Sequence, residues 1–223
     1  MSSVRKARRV PSDQRVRPTR AQTRERLLGA ARELIAEYGY GGASVEAICE
    51  HAGFTRGAFY SNFDSKDELV CALYDEHYAR VRAQVAAALA EVATTPTGLD
   101  DAVRRVFDAV RVSPADRRQW ALLDAEFTLH ALRNDTSRAR WVALQRRFRQ
   151  ELAALIDAGW TRLGLRLSLS GTDLARFVLA VHAGMTAQRL LDPDDESDER
   201  LECVFVSAAM QGLNLRSGWT DPR

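Results

Sequence analysis

The sequence predicts an all-α fold of about nine helices, and three observations carry that expectation. Apolar residues recur at spacings of three and four through most of the 223 residues. Block after block opens on a serine or threonine followed by acids, the mark of a capped helix start. No period-two segment has a partner: residues 163–169 alternate apolar and polar, but the run is short and isolated.

Residues 1–19 carry Pro11, Pro18, serines and many charges with almost no apolar periodicity, and are expected to form a flexible basic arm. From Thr19 onward Leu27, Leu28, Ala31, Leu34 and Ile35 fall on one helical face. Tyr38-Gly39-Tyr40-Gly41-Gly42 should stop that helix, because glycine tolerates left-handed backbone. Ser44 caps a short helix with Val45, Ile48 and Ala52 on one side; Gly53 breaks it, and Thr55 caps a second one to about residue 62. Ser65-Lys66-Asp67-Glu68 has the form of a capping box and opens a long helix to about residue 92. A loop at 94–98 precedes a helix at about 99–111, and Ser113-Pro114-Ala115-Asp116 starts the next. Further helices begin near Asp135 and at Ser170-Gly171-Thr172-Asp173, and the last spans about 198–215.

Composition narrows the function classes. Residues 1–26 hold nine basic residues against Asp13 and Glu25, a net +7, so the rest of this +2 chain is −5. A basic end on a mildly acidic body suits a polyanion partner, although such tails are often only solvated. No apolar run is long enough to span a membrane, and no apolar stretch follows the N-terminal charges, so a cytoplasmic location is expected. Cys49, Cys71 and Cys203 are odd in number and far apart, which suits a reducing compartment and buried, inert thiols. Arginine outnumbers lysine thirty to two, a composition typical of GC-rich bacterial genomes.

The informative segment is residues 44–63, two short helices separated by a glycine at helix-turn-helix spacing. Gly53 permits the left-handed turn, Cys49 and Ala52 are small where the helices approach, and Ile48 and Phe59 point into the core beneath. Thr55, Arg56, Gly57, Tyr60, Ser61 and Asn62 are left for a major groove. Arg56 can take guanine O6 and N7 bidentately, and Gly57 lets backbone approach a base. Ser44, Thr55, Tyr60, Asn62 and Lys66 offer donors where phosphates should run, as do the helix N-termini. The arm from Arg5 to Arg26 would add backbone or minor-groove contacts. Helical pairs with a glycine turn also occur in structural bundles, so the pattern alone leaves both readings open.

The run Thr23-Arg-Glu-Arg-Leu-Leu, the block Ala52-Gly53-Phe54-Thr55-Arg56-Gly57-Ala58-Phe59-Tyr60-Ser61-Asn62-Phe63 and Lys66-Asp67-Glu68-Leu69 occur in order. Together with Tyr38-Gly39-Tyr40 and Ser44-Val45 they closely resemble the N-terminal domain of TetR-family regulators, over about residues 20–75. Cys49 stands where that family commonly has alanine, and Asn62 where histidine or another polar residue is frequent. The resemblance implies a homodimer, usually a repressor, released from a palindromic operator by a small ligand held in a C-terminal domain. It divides the chain into an arm (1–19), a helix-turn-helix domain (20–65), a ligand-binding and dimerisation domain (66–216) and a tail (217–223).

The resemblance implies that the last two helices form the dimer interface, and the apolar faces of this chain fit that through Leu174, Phe177, Val178, Val181, Leu201, Val204, Phe205 and Ala208. An aromatic-lined cavity for a small, largely apolar ligand is expected from Trp120, Phe127, His130, Trp141, Phe148, His182, Met185 and Gln188, residues that would also serve as ordinary core. No cofactor and no metal are expected: the histidines lack zinc spacing, and the acidic run 192–199 lacks the glycine and closing glutamate of a calcium loop. No nucleophile elbow, phosphate loop or metalloprotease motif argues for an enzyme. A helical ligand-binding or interaction module with a vestigial head is the alternative, and a helical enzyme ranks third.

Overall fold

A computed structural model describes residues 18–95, 98–162, 168–193 and 201–213. Among them lie nine helices and no strand: α1 (Arg20–Gly42), α2 (Val45–Ala52), α3 (Arg56–Tyr60), α4 (Lys66–Thr94), α5 (Leu99–Ala109), α6 (Pro114–Arg133), α7 (Asp135–Arg162), α8 (Gly171–Leu191) and α9 (Leu201–Leu213). The basic arm up to residue 17, the alternating residues 163–167, the acids at 194–199 and the tail fall outside the described residues.

Helix starts follow the sequence signals. Ser44, Thr55, Ser65, Ser113 and Ser170 each accept a hydrogen bond from the backbone N–H three residues on, satisfying a donor the helix leaves unpaired. Thr19 and Gln22 form a reciprocal capping box. At Ser65 the expected box closes differently, because Glu68 accepts from the Asp64 N–H at 2.6 Å instead of from Ser65.

The first helix ends within the glycine run, but not in one step. It kinks at Gly39, where φ is +75°, and continues one further turn to Gly42. The kink frees the Tyr40 N–H, which donates to Glu126 Oε2 of α6 at 2.8 Å. A Cβ at Gly39 would stand 3.0 Å from that oxygen, in a backbone region that side chains avoid. Gly39 is therefore where α6 docks on α1.

The core is continuous between the front and the rest of the chain. Leu27, Ile35, Ile48 and Phe59 from α1–α3 pack in one buried cluster with Leu69 and Val70 of α4, Leu123 and Phe127 of α6 and Trp141 of α7. A second cluster joins Val103 of α5, Leu174 of α8 and Val206 and Met210 of α9; a third joins Val85 of α4 with Leu152 of α7 and Ala175 of α8. Helix α4 contacts α1, α5 and α7 and so runs from the front cluster to the back. No helix among the described residues is long and apolar enough to cross a membrane.

Candidate nucleic-acid interface and effector site

The turn between α2 and α3 is built as its residues require. Gly53 takes the left-handed conformation (φ 73°, ψ 36°) and the Phe54 N–H reaches back to the Cys49 carbonyl at 2.8 Å, a Schellman-type closure. Ile48, Cys49 and Phe59 are buried beneath it, with Phe59 edge-on to Tyr60 and tilted against Phe63. Arg24 and Arg26 of α1 lie over the Phe63 and Phe54 rings at 5.2 and 4.9 Å, and Arg20 donates to the Ser61 carbonyl at 3.1 Å. The described end of the basic segment thus packs against the flank of the helix pair.

Thr55, Arg56, Gly57, Tyr60 and Ser61 form one exposed edge of α3. The Arg56 guanidinium lies 5.8 Å from the Tyr60 ring centre and pairs with Glu46 of α2 at 2.6 Å. Tyr60 first, then Glu46, hold it above its ordinary value, so it is fully charged. An ion pair this exposed contributes little, and a nucleic acid could displace Glu46 at small cost. A Cβ at Gly57 would meet only Thr55 Oγ1, at 3.7 Å, so the fold itself does not require glycine there.

Two candidate phosphate donors are placed otherwise. Lys66 is half-buried: its ammonium donates to the carbonyls of Tyr40 and Ala43 at 2.5 and 2.9 Å and sits 4.0 Å from the Tyr40 ring centre. Burial pushes its pKa down, with Asp67 opposing. It neutralises the carbonyl end of α1, a position that favours a cation, instead of pointing outward. Asn62 folds back, its Nδ2 donating to the Ala58 carbonyl at 2.8 Å while its Oδ1 is buried without a partner. It terminates α3 and has no outward donor to spare.

Behind the helix pair lies a polar junction that the sequence did not single out. The Asp67 carboxylate, at the start of α4, accepts from the Tyr40 hydroxyl of α1 and the Ser137 hydroxyl of α7. With its proton so used, Ser137 Oγ accepts from His130 Nε2 at 3.0 Å, and that nitrogen lies 3.4 Å from Asp67. The His130 ring rests on Tyr40 with centroids 4.1 Å apart. Three helices of the body therefore meet the end of α1 at one carboxylate. His130 is tied into this junction.

The other expected pocket residues divide. Phe127 and Trp141 are buried core rings in edge contact at 5.2 Å, while Phe148 stacks on Tyr78 at 3.9 Å. Trp120 stacks on His77 at 3.8 Å. His182 pairs with the buried Glu202 at 2.7 Å across α8 and α9, and Gln188 is exposed, so neither joins those rings. Met185 of α8 is only partly buried. A cleft of about 230 Å³ opens between α4 and α7, lined by Tyr78 and Phe148 and by the ion pairs Arg82–Glu151 and Arg147–Asp75. Its walls are more polar than expected. Tyr74, His77, Tyr78 and Asp124 were missed; the repeated aromatic spacing at 74, 77 and 78 on α4 was the available signal.

The expected dimer residues also divide. Leu174 is fully buried within its own chain, and Phe177, Val178 and Val181 pack partly on that cluster, so these large side chains of α8 serve mainly the internal core. The outward stripe of α8 consists instead of Ala180, Ala183, Gly184, Ala187 and Leu191. On α9, Val204, Phe205 and Ala208 do face outward, while Leu201 is partly buried.

The family model described as bacterial regulatory proteins, tetR family, matches residues 27–73, which span the second half of α1, the glycine turn and the start of α4. The chain belongs to the TetR family. It is a DNA-binding transcriptional regulator by membership, in a family that is not enzymatic. Among relatives, the HTH-type transcriptional repressor AcnR of Corynebacterium glutamicum is 28% identical over 156 residues, 68% of this chain and 76% of that protein. The AcnR of Corynebacterium diphtheriae is 34% identical over 124 residues, 55% and 57% of the two chains. The solved TetR-family regulator from Rhodococcus sp. shares the fold with a TM-score of 0.68 at 19% identity, over 86% of this chain and 98% of its own. GusR of Salmonella enterica does so at 0.65 and 21%, over 90% and 98%.

Proposed function

We propose that this TetR-family protein is a homodimeric repressor that α3 seats in the major groove of a palindromic operator and that a small molecule bound in the helical body releases. The observation that carries the reading is the exposed edge of Thr55, Arg56, Gly57, Tyr60 and Ser61, held by a buried hydrophobic floor and with only Thr55 Oγ1 close to the place of a Gly57 Cβ. Arg56 would read a base edge; Ser44, Thr55, Tyr60 and Ser61 would contact phosphates. Repression is the activity named for the AcnR relatives.

Dimerisation rests on exposed apolar surface. Leu191 is 85% exposed, Val204 52% and Phe205 48%, and the alanine and glycine stripe between them lets a partner helix approach closely. Two such pairs would close a four-helix bundle about a two-fold axis. The division at about residue 65 then separates an operator-reading head from a body that senses and dimerises. Release would act through α4, which starts at the Asp67 junction and extends along the body. Repacking it would change the separation of the two heads, which must match successive major grooves about 34–36 Å apart. Effector and operator would then oppose each other reciprocally.

Nuclease footprinting on DNA flanking the gene tests the reading. A protected near-palindrome with a steep salt dependence, lost in Arg56→Ala and Tyr60→Ala variants that remain folded dimers, is the expected result. Undiminished affinity in both variants would remove α3 as the reading element and favour the body as a ligand-binding module alone.

A further inference from the structure

We propose that the effector is a small organic cation, held with its positive charge on the Asp124 carboxylate and its apolar part against the rings of Tyr74, His77, Tyr78 and Trp120. The inference rests on the reading of the body as an effector site, and deepens it by naming the ligand's charge.

Asp124 lies on α6 opposite α4. Its one polar partner among the described residues is the Tyr74 hydroxyl, at a long 3.5 Å, and no lysine, arginine or histidine among them pairs with it. Two nearby guanidiniums have other partners. Arg32, 5.7 Å from the Trp120 ring centre, pairs with Asp116 at 3.2 Å, and Arg149, which acts on Tyr78, reaches Gln145 at 3.4 Å. A carboxylate drawn from water without a cation is costly, and proteins usually keep one only where something supplies the missing charge. Burial accordingly pushes the Asp124 carboxyl above its ordinary value, with Tyr74 only partly opposing.

The surroundings suit a cation with an apolar body. Tyr74 is within 5.5 Å of Trp120 and 5.4 Å of Tyr78, ring centre to ring centre, and Trp120 stacks on His77. Ring faces attract positive charge through their quadrupoles, most strongly where water is excluded. His77 adds no competing charge: burial first, then Arg80 and Arg32, lower its pKa to about 4, and its Nδ1 is buried without a partner, free to take a ligand hydrogen bond. Asp124, His77, Tyr78 and Trp120 are all partly open to solvent, so a ligand can reach them, and Tyr78 also lines the cleft between α4 and α7.

The test is calorimetric titration of the full-length protein with three probes of one shape class and different charge. These are benzyltrimethylammonium, its neutral isostere neopentylbenzene, and phenylmethanesulfonate. The cation is expected to bind at least ten-fold more tightly than the other two, and Asp124→Asn to erase that preference. The variant should fold, since it removes a largely buried charge that has no counter-ion among the described residues and keeps an acceptor for the Tyr74 hydroxyl; its melting curve checks this. Equal binding of cation and neutral isostere, or a cation preference that survives Asp124→Asn, would overturn the charge assignment and leave the body site standing. Binding of none of the three would overturn both.

Discussion

Removing one hydroxyl from the junction behind the head is expected to loosen the whole chain. Tyr40→Phe keeps the ring that rests on His130 and lies in edge contact with Phe127, and it keeps the Lys66 ammonium above it. It deletes only the donor to Asp67. A hydrogen bond to an ionised group contributes ~1.5–3 kcal/mol. Ser137 and His130 still serve the carboxylate, so the lower half of that range, about 1.5–2 kcal/mol, applies. For a chain of this length each kcal/mol moves the melting temperature by ~2–4 °C, so the variant should melt about 3–8 °C lower. The pH dependence follows from the same groups. Burial alone would raise the Asp67 carboxyl, but hydrogen bonds from Ser137 and Tyr40 and the nearby His130 outweigh it and hold the pKa below its unfolded value of 3.8. The stability it contributes is complete above that value and is lost as pH falls through the lower, folded one. Denaturant titrations of both proteins at neutral pH and in acid check this. A melting shift under about 1 °C, or a penalty as large in acid as at neutral pH, would refute the reasoning.

Three other outcomes are expected. Glu46→Gln frees the Arg56 guanidinium and removes a negative charge facing the phosphates, so operator affinity at low salt should rise several-fold by electrophoretic mobility shift; unchanged affinity would mean that Arg56 does not reach the DNA. Phe205→Glu places a charge on the exposed apolar stripe of α9, and sedimentation should show a monomer whose operator binding is strongly weakened; an intact dimer would place the interface elsewhere. His77 should titrate by NMR near pH 4, and because its folded pKa is depressed, the stability it contributes declines as pH falls from 6.5 towards that value. A midpoint near 6.5 would show that the ring stacked on Trp120 is open to water.

Local chemistry made much of this legible. Ser44, Gly53, Thr55, Ser113-Pro114 and Ser170 act through groups within a few residues, so their caps and turns could be read from spacing. The exposed edge of α3 was legible for the same reason, since Ile48 and Phe59 fix which side is buried. The surroundings of Lys66 and His130 were not legible because their partners are distant in sequence: Tyr40 and Ala43 for one, Asp67 for the other. Helix α8 is apolar nearly all round, so its periodicity could not say which residues face inward. The structure assigns Leu174 to the core and the small residues to the outside. Asp124 left no trace in sequence, since an acid four residues after Trp120 looks like any solvated helix position.

The shared cluster of Leu27, Ile48 and Phe59 with Leu69, Leu123 and Trp141 bears on how such regulators could be recombined. A chimera spliced at residue 65 would bring a foreign α4, α6 and α7 against rings and methyl groups shaped for these ones. It would also pair a foreign residue with the Tyr40 N–H that Glu126 now receives. The transferable cassette is larger than the reading head. It includes the first two turns of α4, the middle of α6 and the Ser137 turn, and a new operator preference is more easily acquired by altering the exposed edge of α3 than by exchanging the helices beneath it.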